Sequence, residues 1–305
     1  MYKHWGRRER FAKIASMFYR DKTTRRAVRD RIRFRGFIQS VGVRDMPMEP
    51  WPTAINISFC FDGRGANLAA VAIRSLVDAG LGICDYAIYC VVDDSVTATQ
   101  RRVLEKMVRH TGSRIKFLAA NHDFDNACRI TRWPLSIWYR MMLPKLLPNV
   151  SKIIYADIDT IFFRDLVELA RMDMGDHIVA GVPAHGNKYI NSGFLVLNLD
   201  QIRREKLYDK WVAAAPIKKY MNPDQDLLNF STRGRVLYLP LRYNFQTYMG
   251  RRIFRIYAPR ELEDIRHHLV VMHYSNWMKP WGDPARRPVF AEYWWDVARR
   301  TGLYK

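Results

Sequence analysis

The sequence predicts an α/β protein: a mixed, mainly parallel sheet flanked by helices on both faces, with a basic helical N-terminal extension. Three observations carry this. From Ala54 onward, short apolar runs alternate with helical patterns of 12–15 residues, the order that builds a parallel sheet with crossover helices. Several of those runs stop at Asp or Gly, where a strand opens into a loop. The charge is also uneven. The net is +20, and residues 1–35 hold 13 Lys/Arg against 3 Asp/Glu, a net of +10 in about a ninth of the chain.

In residues 1–35, Phe11, Ile14, Ala15 and Phe18 recur at helical spacing among Arg10, Lys13 and Arg20, and Val28 and Ile32 repeat it. A basic helix with an apolar stripe is the pattern of an element lying on an anionic membrane surface. A solvated helix docking its stripe on the body has the same pattern, and Glu9, Asp21 and Asp30 weaken a transit-peptide reading. Residues 36–53, with Met46-Pro47-Met48-Glu49-Pro50-Trp51-Pro52, read as a linker. The body, 54–282, opens with a strand over 54–61 ending at Asp62-Gly63-Arg64-Gly65, then a helix over 66–78 closed by Gly80. A strand over 86–92 ends at Asp93-Asp94, and a helix over 97–110 and a strand over 114–119 follow. A helix over 135–147, containing Tyr139-Arg140, should bend or break at Pro144. It leads into the strand Ile153-Ile154-Tyr155, a helical segment over 166–171 and a strand over 177–182. In the apolar run 189–199, Asn191-Ser192-Gly193 predicts a turn or bulge, either a plain bulge or a close approach of backbone to a ligand. Pro223-Asp224-Gln225-Asp226 is a helix start with proline and acidic residues in its first turn. A strand over 269–272 delivers His273, and residues 283–305 read as a C-terminal helix.

Composition narrows the class. With 305 residues, 49% hydrophobic and 13% aromatic, the chain can bury a large core. Cys60, Cys84, Cys90 and Cys128 show no paired spacing, as expected of buried thiols in a reducing compartment. The sequence shows no apolar run of about 18 residues and no signal-peptide core, so a cytoplasmic protein is expected. Arg-rich tails also bind nucleic acid, but nothing else resembles a nucleic-acid module, and no nucleic-acid partner is expected.

The body is organised around Tyr155-Ala156-Asp157-Ile158-Asp159. In an extended chain Asp157 and Asp159 would share a face, with Ile158 packing opposite. Two carboxylates that close are costly without a cation between them, so a divalent metal at a strand end is the natural reading. A solvated loop with two chance Asp residues is the alternative. A lone His at a strand end, as at His273, is usually structural.

Taken in order, the strand ending in Asp62, Tyr139-Arg140, Asp157-Ile158-Asp159, Asn191-Ser192-Gly193, Asp224-Gln225-Asp226 and His273 through Trp281 resemble the retaining glycosyltransferases of family 8, with their Rossmann-like GT-A fold. That group includes bacterial lipopolysaccharide galactosyl- and glucosyltransferases and the glycogenins, and the likeness covers residues 54–282. The resemblance implies that Asp157, Asp159 and His273 hold Mn²⁺, with Mg²⁺ as the alternative. It places Asp62 against the nucleoside of a UDP-sugar and the Asn276 backbone and Lys279 on its diphosphate. Arg140, Asn191, Ser192, Asp224 and Gln225 would line the donor sugar, with Ile158 beside the nucleotide, while Arg64 either reaches the uracil, ribose or diphosphate or points into solvent. Asp224 and Gln225 are the acidic and amide groups nearest the reacting carbon. Implied partners are a UDP-hexose (glucose or galactose) and a glycan or lipid-linked saccharide acceptor, at the inner face of the cytoplasmic membrane.

Two positions depart from the family pattern: Asn276 stands where glycine is usual, and Gly63-Arg64-Gly65 stands where a small amide or acidic residue often follows the Asp. Two carboxylates and an imidazole suit a hard divalent ion. No acidic residue lies between Asp176 and Asp200, so the Asn-Ser-Gly region offers no nucleophile, and front-face displacement is favoured over a covalent route. Tyr243-Asn244-Phe245, Tyr248 and Trp277 are either acceptor-stacking or core aromatics. Nucleotidyl transfer would call for a lysine-rich phosphate loop where Gly63-Arg64-Gly65 stands. A membrane or nucleic-acid binder with an inactive transferase body should have lost candidate ligands, and all three are present.

Overall fold

The structure is a computed structural model that describes residues 54–305 apart from 129–133, 185–187, 218–219, 248–257, 276, 285–287 and 289. The expected basic extension, the linker, Tyr248 and Asn276 lie outside the described residues.

Seven strands form one sheet in the order β3-β2-β1-β4-β7-β6-β8. They are β1 (Ile55–Phe61), β2 (Tyr86–Val92), β3 (Arg114–Ala119), β4 (Lys152–Ala156), β6 (Val179–Pro183), β7 (Ile190–Asn198) and β8 (Val236–Tyr238). β1 to β4 are parallel, β7 runs antiparallel to both β4 and β6, and β8 is parallel to β6. Burial on both faces explains the near-continuous apolar runs. Ile153 and Tyr155 of β4 point into one core with Val91 and Trp138, while Ile154 and Ala156 point into the other with Phe59 and Ile73.

Helices α1 (Ala66–Gly80) and α2 (Ala98–Val108) make the first crossovers. Thr97 and Gln100 cap α2 reciprocally, satisfying two otherwise orphaned N–H groups. The predicted helix over 135–147 divides: Leu135–Met142 is a 3₁₀ stretch, and α3 (Leu143–Leu146) takes Pro144 into its first turn. Proline has no N–H to donate, so it opens the new helix and does not kink an old one.

A second sheet of β5 (Thr160–Phe162), β10 (Val271–His273) and β9 (Phe245–Gln246) was not foreseen as a unit. Phe162 joins it to the main sheet, edge-on to Phe59 and Phe194 at 6.3 Å each. Between the sheets' strands lie α4 (Val167–Arg171), α5 (Leu199–Arg204), α6 (Leu207–Ala214), α7 (Pro223–Ser231) and α8 (Pro259–His268), and α9 (Ala291–Arg300) follows β10. Tyr243 and Phe245 are buried core residues, whereas Trp277 is 71% exposed. The four cysteines are free, and three are buried. Among the described residues no helix is long and apolar enough to cross a membrane.

β7 runs through Asn191-Ser192-Gly193 as continuous strand, and the predicted bulge lies there in its pairing with β6. Between the pairs Gly181–Leu195 and Pro183–Ile190, one residue of β6 stands opposite four of β7, Asn191 to Phe194.

Candidate functional site

Parallel β1, β2 and β4 end at one edge of the sheet, and Asp62, Asp93 and Asp157 each follow directly. Because β7 is antiparallel to β4, its start, Asn191-Ser192-Gly193, arrives at the same edge, with the Asp157 N–H donating to Gly193 O at 2.8 Å. This is the edge where open α/β sheets bind ligands.

Asp157 and Asp159 are not on a strand. Between Ala156 and Thr160 the chain makes a tight turn, held by Thr160 Oγ1 donating to Asp157 O at 2.7 Å and Tyr274 N–H donating to Asp159 O at 2.9 Å. The turn, and not strand alternation, sets the two carboxylates side by side. Ile158 packs away from them, so close to Gly65 that a Cβ there would stand 2.8 Å from Ile158 Cδ1. β10 brings buried His273 opposite Thr160. Its Nε2 lies 3.2 Å from Asp159 Oδ1 and 3.7 Å from Asp157 Oδ2.

These residues fit a hard divalent cation. One ligand atom from each of the three lies within 4.8 Å of the others. Neighbouring ligands of an octahedral ion bound at about 2.1 Å are about 3 Å apart, close to the observed spacings. Asp159 Oδ1 is buried and takes part in no hydrogen bond. Its other oxygen pairs with Lys279 Nζ at 2.6 Å, and that ammonium also donates to Tyr274 O at 2.6 Å. Burial pushes the Asp159 carboxyl up, but the Lys279 ammonium beside it is the leading influence that holds the group below the usual carboxylate range.

Behind the turn lies a buried guanidinium. Arg140 pairs through Nη2 with Asp157 Oδ1 at 2.9 Å and through Nε with Asp224 Oδ2 at 3.2 Å. Its Nη1 donates to Ser192 O at 2.6 Å, and it stacks 4.4 Å above the Tyr155 ring, whose hydroxyl donates to Asp157 Oδ1 at 2.5 Å. Burial pushes the Asp224 carboxyl up against the pull of Arg140. Ser192 Oγ donates to Asp224 Oδ2 at 3.1 Å.

Gln225 faces β7. Its Oε1 accepts from Ser192 N–H at 2.9 Å and Asn191 Nδ2 at 3.2 Å, and its Nε2 donates to Tyr189 Oη at 3.0 Å. The amide oxygen is thus occupied by backbone and side-chain donors. Asp62 closes its own loop, Oδ1 accepting from the N–H groups of Arg64 and Gly65 at 3.0 Å each. Arg64, 85% exposed, turns back onto Asp62 at 2.8 Å.

Asp157, Asp159, Arg140, Ser192, Asp224 and Lys279 therefore meet in one connected cluster, with Asn191 and Gln225 bonded to it. Asp62 and Arg64 sit at the neighbouring strand end, and Asn276 lies outside the described residues. Sequence reasoning missed Tyr155 and Asn244. Asn244 was noticed only as the middle of an aromatic triplet, yet it is fully buried and bonded to His273.

The sequence matches the family model described as glycosyl transferase family 8 over residues 56–285. It is 23% identical to general stress protein A of Bacillus subtilis (strain 168), in a match covering 67% of this chain and 79% of that protein. It is 22% identical to the lipopolysaccharide glucosyltransferase WaaO of Escherichia coli (strain K12), covering 81% of this chain and 78% of that one. The fold is similar to that of the galactosyltransferase LgtC, solved in complex with donor and acceptor sugar analogs. The TM-score is 0.67 at 24% identity, over 81% of this chain and 96% of that one.

Proposed function

The chain belongs to glycosyl transferase family 8, and from that premise we propose that it moves a hexose from a UDP-sugar to a glycan or lipid-linked saccharide with retention of configuration. The observation that carries the reading is the convergence of Asp157, Asp159 and His273 at a strand edge, with one buried carboxylate oxygen left without a donor.

A divalent ion there, Mn²⁺ or Mg²⁺, would neutralise the leaving diphosphate as a Lewis acid. The protein's own groups do the rest. Lys279 holds an ammonium beside Asp159, placed to add positive charge to the same diphosphate oxygens. Arg140 binds Asp157 and Asp224 together, so the cation side and the sugar side of the site keep one geometry. Asp224 and Ser192 present polar groups to the donor sugar. Gln225, whose oxygen is engaged by Ser192 and Asn191, serves better as a splint than as a nucleophile. Front-face displacement, with the acceptor hydroxyl's proton passing to the leaving diphosphate, needs no further base. Trp277, exposed next to the Lys279 loop, offers a face for stacking on an acceptor ring.

The lipopolysaccharide glucosyltransferase among the relatives favours a saccharide on a lipid carrier, which would be met at a membrane. The net charge of +10 in residues 1–35 suits an anionic inner leaflet, each Lys or Arg near it contributing about 1 kcal/mol. Removal of residues 1–35 should abolish pelleting with anionic vesicles while leaving donor hydrolysis intact; continued pelleting would discard the membrane role.

The decisive experiment is hydrolysis and transfer from a panel of UDP-sugars with and without Mn²⁺, on wild type and Asp159→Asn. Metal-dependent turnover lost in the variant, and an α-linked product by anomeric proton coupling, are expected. Metal-independent turnover or a β linkage would overturn the proposal.

A further inference from the structure

Two backbone N–H groups fix the hydrogen-bond directions of a chain of three side-chain amides. A backbone N–H can only donate, so Gly193 N–H at 3.0 Å identifies the acceptor end of Asn191 as Oδ1. Ser192 N–H likewise identifies the facing atom of Gln225 as Oε1, which requires Asn191 to turn its Nδ2 towards Gln225. Both ends of Asn191 are thereby set independently. Asn244 meets Asn191 Oδ1 at 2.9 Å and must therefore present its own Nδ2, which leaves Asn244 Oδ1 facing His273 Nδ1 at 3.0 Å. A carbonyl oxygen only accepts, so the proton of the neutral ring resides on Nδ1. Nε2 is then left unprotonated, 3.2 Å from Asp159 Oδ1 and 3.7 Å from Asp157 Oδ2. With no proton on Nε2, the nitrogen 3.2 Å from Asp159 Oδ1 offers that oxygen no donor, and Asp159 Oδ1 takes part in no hydrogen bond.

We propose that Asn244 is a positioning residue that holds His273 in the Nδ1–H tautomer, so that Nε2 is ready to accept a divalent cation. The role rests on the cation reading of Asp157, Asp159 and His273 given above. Asn244 sits immediately before β9, is fully buried, and has its two amide ends engaged by Asn191 and His273. Its effect on a cation passes through the imidazole, as outer-sphere partners of histidine ligands usually act.

The test uses the full-length protein labelled with ¹⁵N-histidine, free of metal. Wild type should show a pyrrole-type Nδ1 and a pyridine-type Nε2 for His273, assigned with His273→Gln. Asn244→Leu should lose that pattern and weaken Mn²⁺ binding, followed by electron paramagnetic resonance, by about ten- to a hundredfold. Asn244→Asp, which keeps an oxygen facing Nδ1 but gives up the donor to Asn191, should retain the Nδ1–H pattern and bind Mn²⁺ more tightly than the Leu variant. A wild-type ring protonated on Nε2 would overturn the proposal by itself, even if Asn244→Leu failed to fold. Equal loss in the Leu and Asp variants would also overturn it, since the residue would then be merely structural. If wild type bound no Mn²⁺ while the Nδ1–H pattern held, the cation reading would fail and the tautomer assignment would stand.

Discussion

Gly193 and His273 leave no room between them. A Cβ on Gly193 would overlap the imidazole at Cε1 and stand 2.8 Å from Nδ1 and 2.7 Å from Asp157 Oδ2. Glycine is needed here because two candidate ligands close over the strand, and not because the backbone takes an unusual φ. Gly193→Ala should therefore push His273 off Asp159 and destabilise the fold by about 1–3 kcal/mol. Thermal unfolding together with a Mn²⁺ titration checks this. Wild-type cation affinity in the variant would show that the ring can step aside without consequence.

That glycine also marks the limit of what the sequence discloses. The pattern Asn-Ser-Gly within an apolar run points to a bulge, and β7, though continuous, does slip its register with β6 across Asn191 to Phe194. The contact that demands glycine comes from His273, 80 residues away in sequence, and no local rule reports it. Strands β2 and β3 were legible to the residue, because buried parallel strands are short apolar runs with sharp polar ends. The small sheet was not, since strands of two or three residues carry no periodicity. Asp157 and Asp159 were legible as a carboxylate pair that calls for a cation, but His273 and Arg140 entered the site only through the family resemblance. A buried Arg between two carboxylates depends on three distant segments meeting.

Arg140 offers a second test. Its guanidinium is the counter-charge of Asp224, and both side chains are nearly fully buried. Removing one partner of a buried pair strands the other, at about 3–5 kcal/mol. Arg140→Met should be destabilised by that order in chemical unfolding, and adding Asp224→Asn should restore part of the loss, since coupled residues are not additive. Simple additivity of the two substitutions would mean that the pair carries no coupling.

Asp123 gives a pH dependence remote from the site. Lys145 Nζ pairs with it at 2.7 Å, and the Tyr208 hydroxyl donates to the same oxygen, tying α3 to α6. These bonds hold the Asp123 carboxyl below its ordinary value. A carboxyl depressed in the folded state stabilises above its unfolded pKa, and that contribution disappears as pH falls through the folded one. Asp123→Asn should therefore be less stable than wild type at pH 7, with the gap closing as the solution is taken below about pH 4. A gap of the same size at pH 3 and pH 7 would assign the loss to packing.

Gln246 supplies the last prediction. It pairs in register with His273 across β9 and β10, so the two side chains stand on one face of the small sheet. It is 1% exposed, and neither Nε2 nor Oε1 has a hydrogen-bond partner among the described residues. A buried polar group without a partner costs about 1–3 kcal/mol, and replacing it by an apolar group of similar shape removes that cost. Gln246→Met keeps the length and volume of the side chain while deleting both polar ends. The variant should melt a few degrees above wild type, since for a chain of this size each kcal/mol corresponds to roughly 2–4 °C. Differential scanning calorimetry at fixed protein concentration measures it. A lower melting temperature would mean that ordered water already satisfies the amide, and that the methionine has displaced it.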